Sequence, residues 1–253
     1  MILIKKNEEI DIMREAGKIL SRIRKELSNY LKPGISTFEL DMIAFNLMKK
    51  YNVESAFKGY KKFIGYTCIS VNEVVVHGIP SKNKILRLGD IITLDIGIKF
   101  KGYYVDSAWT YYLGEISYFK KKMIKDTHDA LFAGIKKVKP GNYISDISNA
   151  IAKIGKLNNY GIIEVFTGHG IGTSLHEAPN IFNFDFTKEA CYLEKNHILK
   201  KGMTFCIEPM FTLGSKEIKI LSDGWSAVTI DSSLSSHFEH TVLVTENGHE
   251  ILT

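Results

Sequence analysis

The chain has 253 residues, of which 45% are hydrophobic and 24% charged, with a formal net charge of +5. This suits one large globular domain or two small ones, able to bury a core without disulfide support, and excludes a low-hydrophobicity disordered chain. The positive charge is almost all lysine, with arginine only at Arg14, Arg22, Arg24 and Arg87, so it reads as solvated surface. It permits attraction to a polyanion such as the ribosome, but no nucleic-acid-binding motif accompanies it.

Cys68, Cys191 and Cys206 are widely spaced and form no Cys-x-x-Cys, so neither a disulfide framework nor a zinc knuckle is expected. The first residues turn charged before an apolar run reaches signal-peptide length, and no later run could span a bilayer. A cytoplasmic protein in a reducing compartment, with no membrane partner and monomeric, is the expectation.

In chain order, Asn7-Glu8-Glu9 can cap a helix whose apolar residues Ile10, Met13, Leu20, Ile23, Leu27 and Leu31 recur at helical spacing until Pro33-Gly34 stops it. Ser36-Thr37-Phe38-Glu39 is a capping box that opens a second helix through about Tyr51. The segment VNEVVVHGIP reads as a strand ending near His77. LDIGIKFKGYYVD then reads as two strands about a turn at Lys101-Gly102 or Phe100-Lys101. Such a turn puts Asp95 and Asp106 on one face, whereas a three-residue turn would split them.

The order then repeats. LKPGISTFELDMIAFNLMKKYN is echoed by VKPGNYISDISNAIAKIGKLNNYG, and RLGDIITLDIGIKF by KKGMTFCIEPMFTL. The second echo sets Asp95 against Glu208, each following a glycine at the same interval; YYVDSAWTYYLG against HFEHTVLVTENG sets Asp106 against Glu239. The expected fold is α+β: one domain over residues 1–253, built as two related α/β halves of about 1–115 and 116–253. A curved antiparallel sheet would gather the four carboxylates.

Two carboxylates about 4 Å apart repel by roughly 4 kcal/mol at an effective dielectric of ~20, before any desolvation. Either some of the four protonate, as in a carboxylate dyad, or cations fill the site, and four negative charges match two divalent ions. A histidine in the glycine-rich segment FTGHGIGTSLHEAP favours the cations: His169 lies where the backbone can approach a site closely. His176-Glu177 invites comparison with the zinc motif H-E-x-x-H, but Asn180 stands at the second histidine position and that motif fails. His77 precedes the first acid pair much as His176 precedes Glu208.

Taken together, NEVVVHGIP, LDIG, YYVDSAWTYYLG, TGHGIGTSLHEAP, CIEPM and FEHTVLVTENG resemble the methionine aminopeptidases, whose fold is called pita-bread. The resemblance implies two divalent metal ions (cobalt, manganese, iron or zinc) held by Asp95, Asp106, His169, Glu208 and Glu239. It implies hydrolytic removal of the initiator methionine from peptides and nascent chains with a small second residue. Glu208 would shuttle a proton, His77 would contact the scissile amide nitrogen and His176 the carbonyl oxygen. The methionine pocket would be Tyr60, Phe63, Cys68, Leu175 and Trp225, with Phe57 where a cysteine is common and Leu175 where a phenylalanine is common. Asn72 and Ser235 match positions that bind a monovalent cation in some relatives. The subtype implied is the short type I form, with the segment NFDFTKEACYLEKN extending a surface loop. The alternatives are another pita-bread peptidase of the aminopeptidase P or prolidase kind, and a non-catalytic relative that has lost its ligands.

Overall fold

The computed structural model describes residues 2–189 and 192–253, so Cys191 lies outside the described residues. The first helix, α1 (Asn7–Ser28), begins one residue before its acidic run: Lys6 is the cap, and the Glu9 carboxylate accepts the Lys6 backbone N–H at 2.6 Å. Ile10, Met13, Leu20, Ile23 and Leu27 form its buried stripe, but the helix ends at Ser28, so Leu31 lies beyond it. Its backbone rests directly on the C-terminal segment, since a Cβ on Gly17 would stand 1.9 Å from the Leu252 carbonyl oxygen. α2 (Thr37–Lys50) opens on the expected capping box: Ser36 Oγ accepts the Glu39 N–H, and the Glu39 carboxylate accepts the Ser36 N–H.

Strands β1 (Glu54–Ser55), β2 (Cys68–Val71), β3 (Val74–Val76), β4 (Ile91–Phe100) and β5 (Tyr103–Tyr112) follow. β4 is the centre of its sheet, pairing antiparallel with β1, β2 and β5. Phe100 pairs with Tyr103, so the β4–β5 turn is the two residues Lys101-Gly102, at φ 47° and 88°. Positive φ at both central positions matches the turn to the twist of the strands, and glycine supplies the second without strain. Gly97 faces Asp106, which puts Asp95 and Asp106 on one face, diagonal neighbours.

The chain continues through α3 (Tyr118–Ile135), α4 (Ile144–Leu157), β6 (Gly161–Ile162), β7 (Gly168–Gly170), β8 (Glu177–Ile181) and the single turn α5 (Tyr192–Lys195). It closes with β9 (Thr204–Ile207), β10 (Met210–Thr212), β11 (Ile218–Ile220), β12 (Ala227–Thr229), β13 (Ser235–His237), β14 (His240–Val244) and β15 (His249–Ile251). The second large sheet has the order β15-β14-β9-β7-β8. Its strands are covered on both sides: Phe205 and Ile207 belong to the core that holds Ile147 and Ile151 of α4, while Cys206 between them joins the core under α1 and α2. Burial on both faces explains why the strand sequences do not alternate.

The two sheets are fastened where β5 meets β14. Thr241 Oγ accepts the Asp106 N–H and donates to the Asp106 carbonyl, each at 2.9 Å. Ser107 Oγ donates to the Glu239 carbonyl at 3.2 Å, and the Glu239 N–H donates to the Ala108 carbonyl at 2.8 Å. Ile207 pairs with His240, so the β9–β14 register brings Glu208 and Glu239 together beyond the paired ends.

The described residues of the segment 183–196 add a buried anchor to the surface loop expected from the sequence. Phe186 is 1% exposed, and its ring packs on Phe182 and Tyr192 at 4.5 and 5.6 Å between centroids. Asn196 Oδ1 accepts the Ser145 N–H, tying the segment to the start of α4. Truncating Phe186 to alanine should therefore cost about 3–5 kcal/mol in urea unfolding. Leu193→Ala, at a side chain 89% exposed, should stay within roughly 0.5 kcal/mol; equal effects would mean that the segment is not anchored by its aromatic cluster.

Candidate active site

Asp95 and Asp106 enter from the β4–β5 hairpin, Glu208 and Glu239 from the facing ends of β9 and β14, and His169 from the middle of β7. Candidate ligand atoms of Asp95, Asp106 and Glu239 all lie within 4.8 Å of one another, as do those of His169, Cys206 and Glu239. Glu239 belongs to both groups. His169 Nε2 lies 3.6 Å from Glu208 Oε1. β7 carries His169 close because its glycines admit neighbouring backbone: a Cβ on Gly168 would stand 2.3 Å from the Cys206 carbonyl oxygen.

Burial pushes all four carboxylates upward, Asp106 to about 7, and for Asp95, Glu208 and Glu239 the neighbouring Asp106 charge adds to it. Asp95 Oδ1 and Glu239 Oε1 are buried without a hydrogen-bond partner. His169 Nδ1 contacts the Gly170 carbonyl at 2.9 Å. Nδ1 is therefore the protonated nitrogen, and the Nε2 lone pair faces the acids. Burial holds its pKa down to about 3, so the ring is neutral. Orphaned carboxylate oxygens beside a neutral imidazole fit divalent cations, which would compensate the charge and complete the unmet coordination. Cys206 stays a neutral thiol, because burial, and after it the Glu239 charge, raises its pKa well above the usual range.

The acids form the floor of a cavity of about 270 Å³ whose walls include every pocket and catalytic residue expected from the sequence: Tyr60, Phe63, Cys68, His77, Leu175, His176 and Trp225. Phe57 also lines it. Phe63 packs edge-on against Trp225 at 5.1 Å and near Phe57 at 6.5 Å, and Cys68 pairs across β2–β4 with Asp95. The apolar slot thus opens directly onto the carboxylates. Asn72 and Ser235 lie outside the cavity walls, but they are brought together: the Ser235 N–H donates to the Asn72 carbonyl at 2.9 Å.

His77 adopts φ 60°, a left-handed conformation that costs a bulky residue of the order of 1–3 kcal/mol and persists only where its surroundings over-determine it. Those surroundings are the edges of Phe166 and Trp225, at 5.1 and 5.9 Å between centroids. Burial lowers its pKa to about 4, leaving a neutral ring. His176 stacks on Tyr60 at 5.2 Å and lies 4.1 Å from the His169 ring, yet it is exposed at the cavity mouth. Packing lowers its pKa and the Lys61 ammonium adds to this, while water at the mouth screens both effects.

Sequence reading missed His237. It is 2% exposed, lines the cavity and places Nε2 at 3.9 Å from Glu208 Oε2, with both ring nitrogens unpartnered. The available signal was its i, i+2 spacing to Glu239 within HFEH.

The raised carboxylate pKa values have a definite sign. Folded Asp106, near 7, holds its proton more tightly than the unfolded side chain at about 3.9, so metal-free protein loses this contribution to stability as pH rises through that interval. In chelated protein, Asp106→Asn should be more stable than wild type by a margin that grows from pH 4 to pH 7 and then levels. Saturating manganese should reverse the order at pH 7.5, because the variant has lost a ligand. Urea midpoints across pH measure both effects, and a margin that shrinks with rising pH would contradict the assignment.

A model of metallopeptidase family M24 matches residues 11–246. The chain is 45% identical to methionine aminopeptidase 1 of Bacillus subtilis, over 100% of this chain and 99% of that protein. It superposes on the crystal structure of methionine aminopeptidase from Thermotoga maritima with a TM-score of 0.95 and 40% identity, covering 100% of this chain and 99% of the other. The prolidase of Pyrococcus furiosus is also similar, with a TM-score of 0.77 and 26% identity, but the match covers 99% of this chain and only 65% of that one. The M24 family is one of metal-dependent peptidases, in keeping with the acid and histidine cluster. The chain belongs to metallopeptidase family M24 and, within it, to the methionine aminopeptidases.

Proposed function

We propose that this chain hydrolyses the peptide bond after an N-terminal methionine, using two divalent cations held by Asp95, Asp106, His169, Glu208 and Glu239. The observation that carries this is the opening of one apolar slot directly onto the carboxylate and histidine cluster, within a single cavity. Manganese, iron, cobalt and zinc all suit such carboxylate and imidazole donors. When bound, these ions polarise the scissile carbonyl and acidify the attacking water.

The side chains divide the remaining work. Glu239 belongs to both candidate ligand groups and would, with Asp106, help hold the cations. Glu208 lies between His169 and His237, a position from which it can take a proton from the attacking water and return it to the departing amine. His77, neutral and fixed by its strained backbone, offers a hydrogen bond to the scissile amide nitrogen. His176 at the mouth meets the carbonyl oxygen, and a donor there strengthens its bond as negative charge develops.

Phe57, Tyr60, Phe63, Cys68, Leu175 and Trp225 receive the methionine side chain by burial and sulfur-aromatic contact. The second residue would lie at the rim beside His77, and the proposed preference there is for small side chains. The proposed physiological substrates are nascent chains, and Asn72 with Ser235 is the proposed monovalent-cation position. The whole chain acts as one catalytic domain.

Two measurements test this. Glu239→Ala should bind less than the full metal complement and lose at least about 100-fold in kcat/KM while keeping its far-UV spectrum, and chelation should do the same to wild type; full activity in either case would refute the metal site. Among peptides, Met-Ala-Ser should be cleaved far faster than Met-Lys-Ser or Met-Phe-Ser. Norleucine should replace methionine with a loss within about 1–3 kcal/mol, while a preference for Xaa-Pro peptides whatever the first residue would favour the prolidase-like alternative.

A further inference from the structure

Glu177 follows His176 directly, and neither the cation site nor the slot uses it. Its carboxylate nevertheless forms a buried ion pair with Lys5, Nζ to Oε2 at 2.5 Å, with side chains 4% and 6% exposed. The other oxygen accepts the Ser174 N–H at 3.0 Å and the Thr173 hydroxyl at 3.1 Å. Burying two charges costs desolvation that a solvated loop would avoid, so the pair needs a reason.

That reason lies in what the pair joins. Lys5 belongs to the extended arm before α1 and is itself fixed, its N–H donating to the Gly202 carbonyl at 2.8 Å. The loop 171–176, which links β7 to β8, closes over the lysine: a Cβ on Gly172 would stand 2.2 Å from Lys5 Cε and 2.6 Å from Nζ. Gly170 pairs with Glu177 at the base of the loop, so the pinned point is flanked by His169 on β7 and by His176 at the end of the loop. His176 is exposed, and among the described residues its ring contacts are Tyr60 and His169. We infer, resting on the catalytic role given to His176 above, that the Lys5–Glu177 pair is a positioning device that fixes the His176 loop from beneath. Neither residue touches the substrate.

The test is a set of metal-loaded variants, Lys5→Met, Glu177→Gln and the double Lys5→Met/Glu177→Leu, each made with His176 intact and with His176→Ala. The double variant leaves no unpaired buried charge and keeps the comparison available if a single variant fails to fold. With His176 intact, kcat on Met-Ala-Ser should fall on the order of 10- to 100-fold, as for a misplaced catalytic group, with KM within about twofold and metal per chain unchanged. In the His176→Ala background the same substitutions should change kcat by less than about twofold, because the group they position is gone. Equal losses in both backgrounds, no loss in the folded double variant, or loss of metal would each overturn the inference. Wild-type activity in His176→Ala alone would instead remove the role given to His176.

Discussion

Four carboxylates buried within reach of one another are the constraint on which the rest of this structure depends. Burial raises the pKa of each, and two of their oxygens have no hydrogen-bond partner in the protein. A fold tolerates such a cluster only if its framework is rigid enough to hold like charges together and if cations relieve them. The fastening between β5 and β14 supplies the rigidity, because the residues that make it are neighbours of the ligands: Ser107 and Ala108 beside Asp106, and Glu239 through its own backbone. A hydroxyl at Thr241 satisfies both backbone groups of Asp106, so neither is left an orphan.

Around that charged floor the protein places neutral, shaped groups. His77, His169 and His237 are all held uncharged by burial, so they add donors and acceptors without adding repulsion to incoming cations. The apolar slot is formed by aromatic edges packed on one another, which gives a fixed opening rather than a collapsible one. The chain spans 99% of methionine aminopeptidase 1 of Bacillus subtilis but only 65% of the prolidase of Pyrococcus furiosus, in keeping with its place among the methionine aminopeptidases of family M24.

Much of the site was legible in the sequence for physical reasons that can be named. Turn chemistry at Lys101-Gly102 fixes the hairpin register, and the period-two rule then puts Asp95 and Asp106 on one face. Glycines flanking His169 announce close backbone approach, and the geometry shows why they are needed. Helix ends were less legible: Leu31 continues the apolar spacing of α1 but lies past its end, since spacing alone does not distinguish a helical turn from the apolar turn that follows it. His237 was overlooked because a histidine two residues from an acid is common on any strand, and only the pairing of β13 with β10, which sets His237 opposite Met210, brings it to Glu208 and the cavity.

Sequence by itself determined the element order, the four acids and one histidine as a set requiring compensation, and the family to which they belong, because these depend on local periodicity and on charge that has nowhere else to go. Tertiary structure alone decided which acid stands at the junction of two ligand groups, that segment 183–196 is anchored by Phe186, and that Lys5 reaches Glu177. Each of these is a contact between residues distant in the chain, and the free energy that selects it comes from packing and desolvation, which no local pattern encodes.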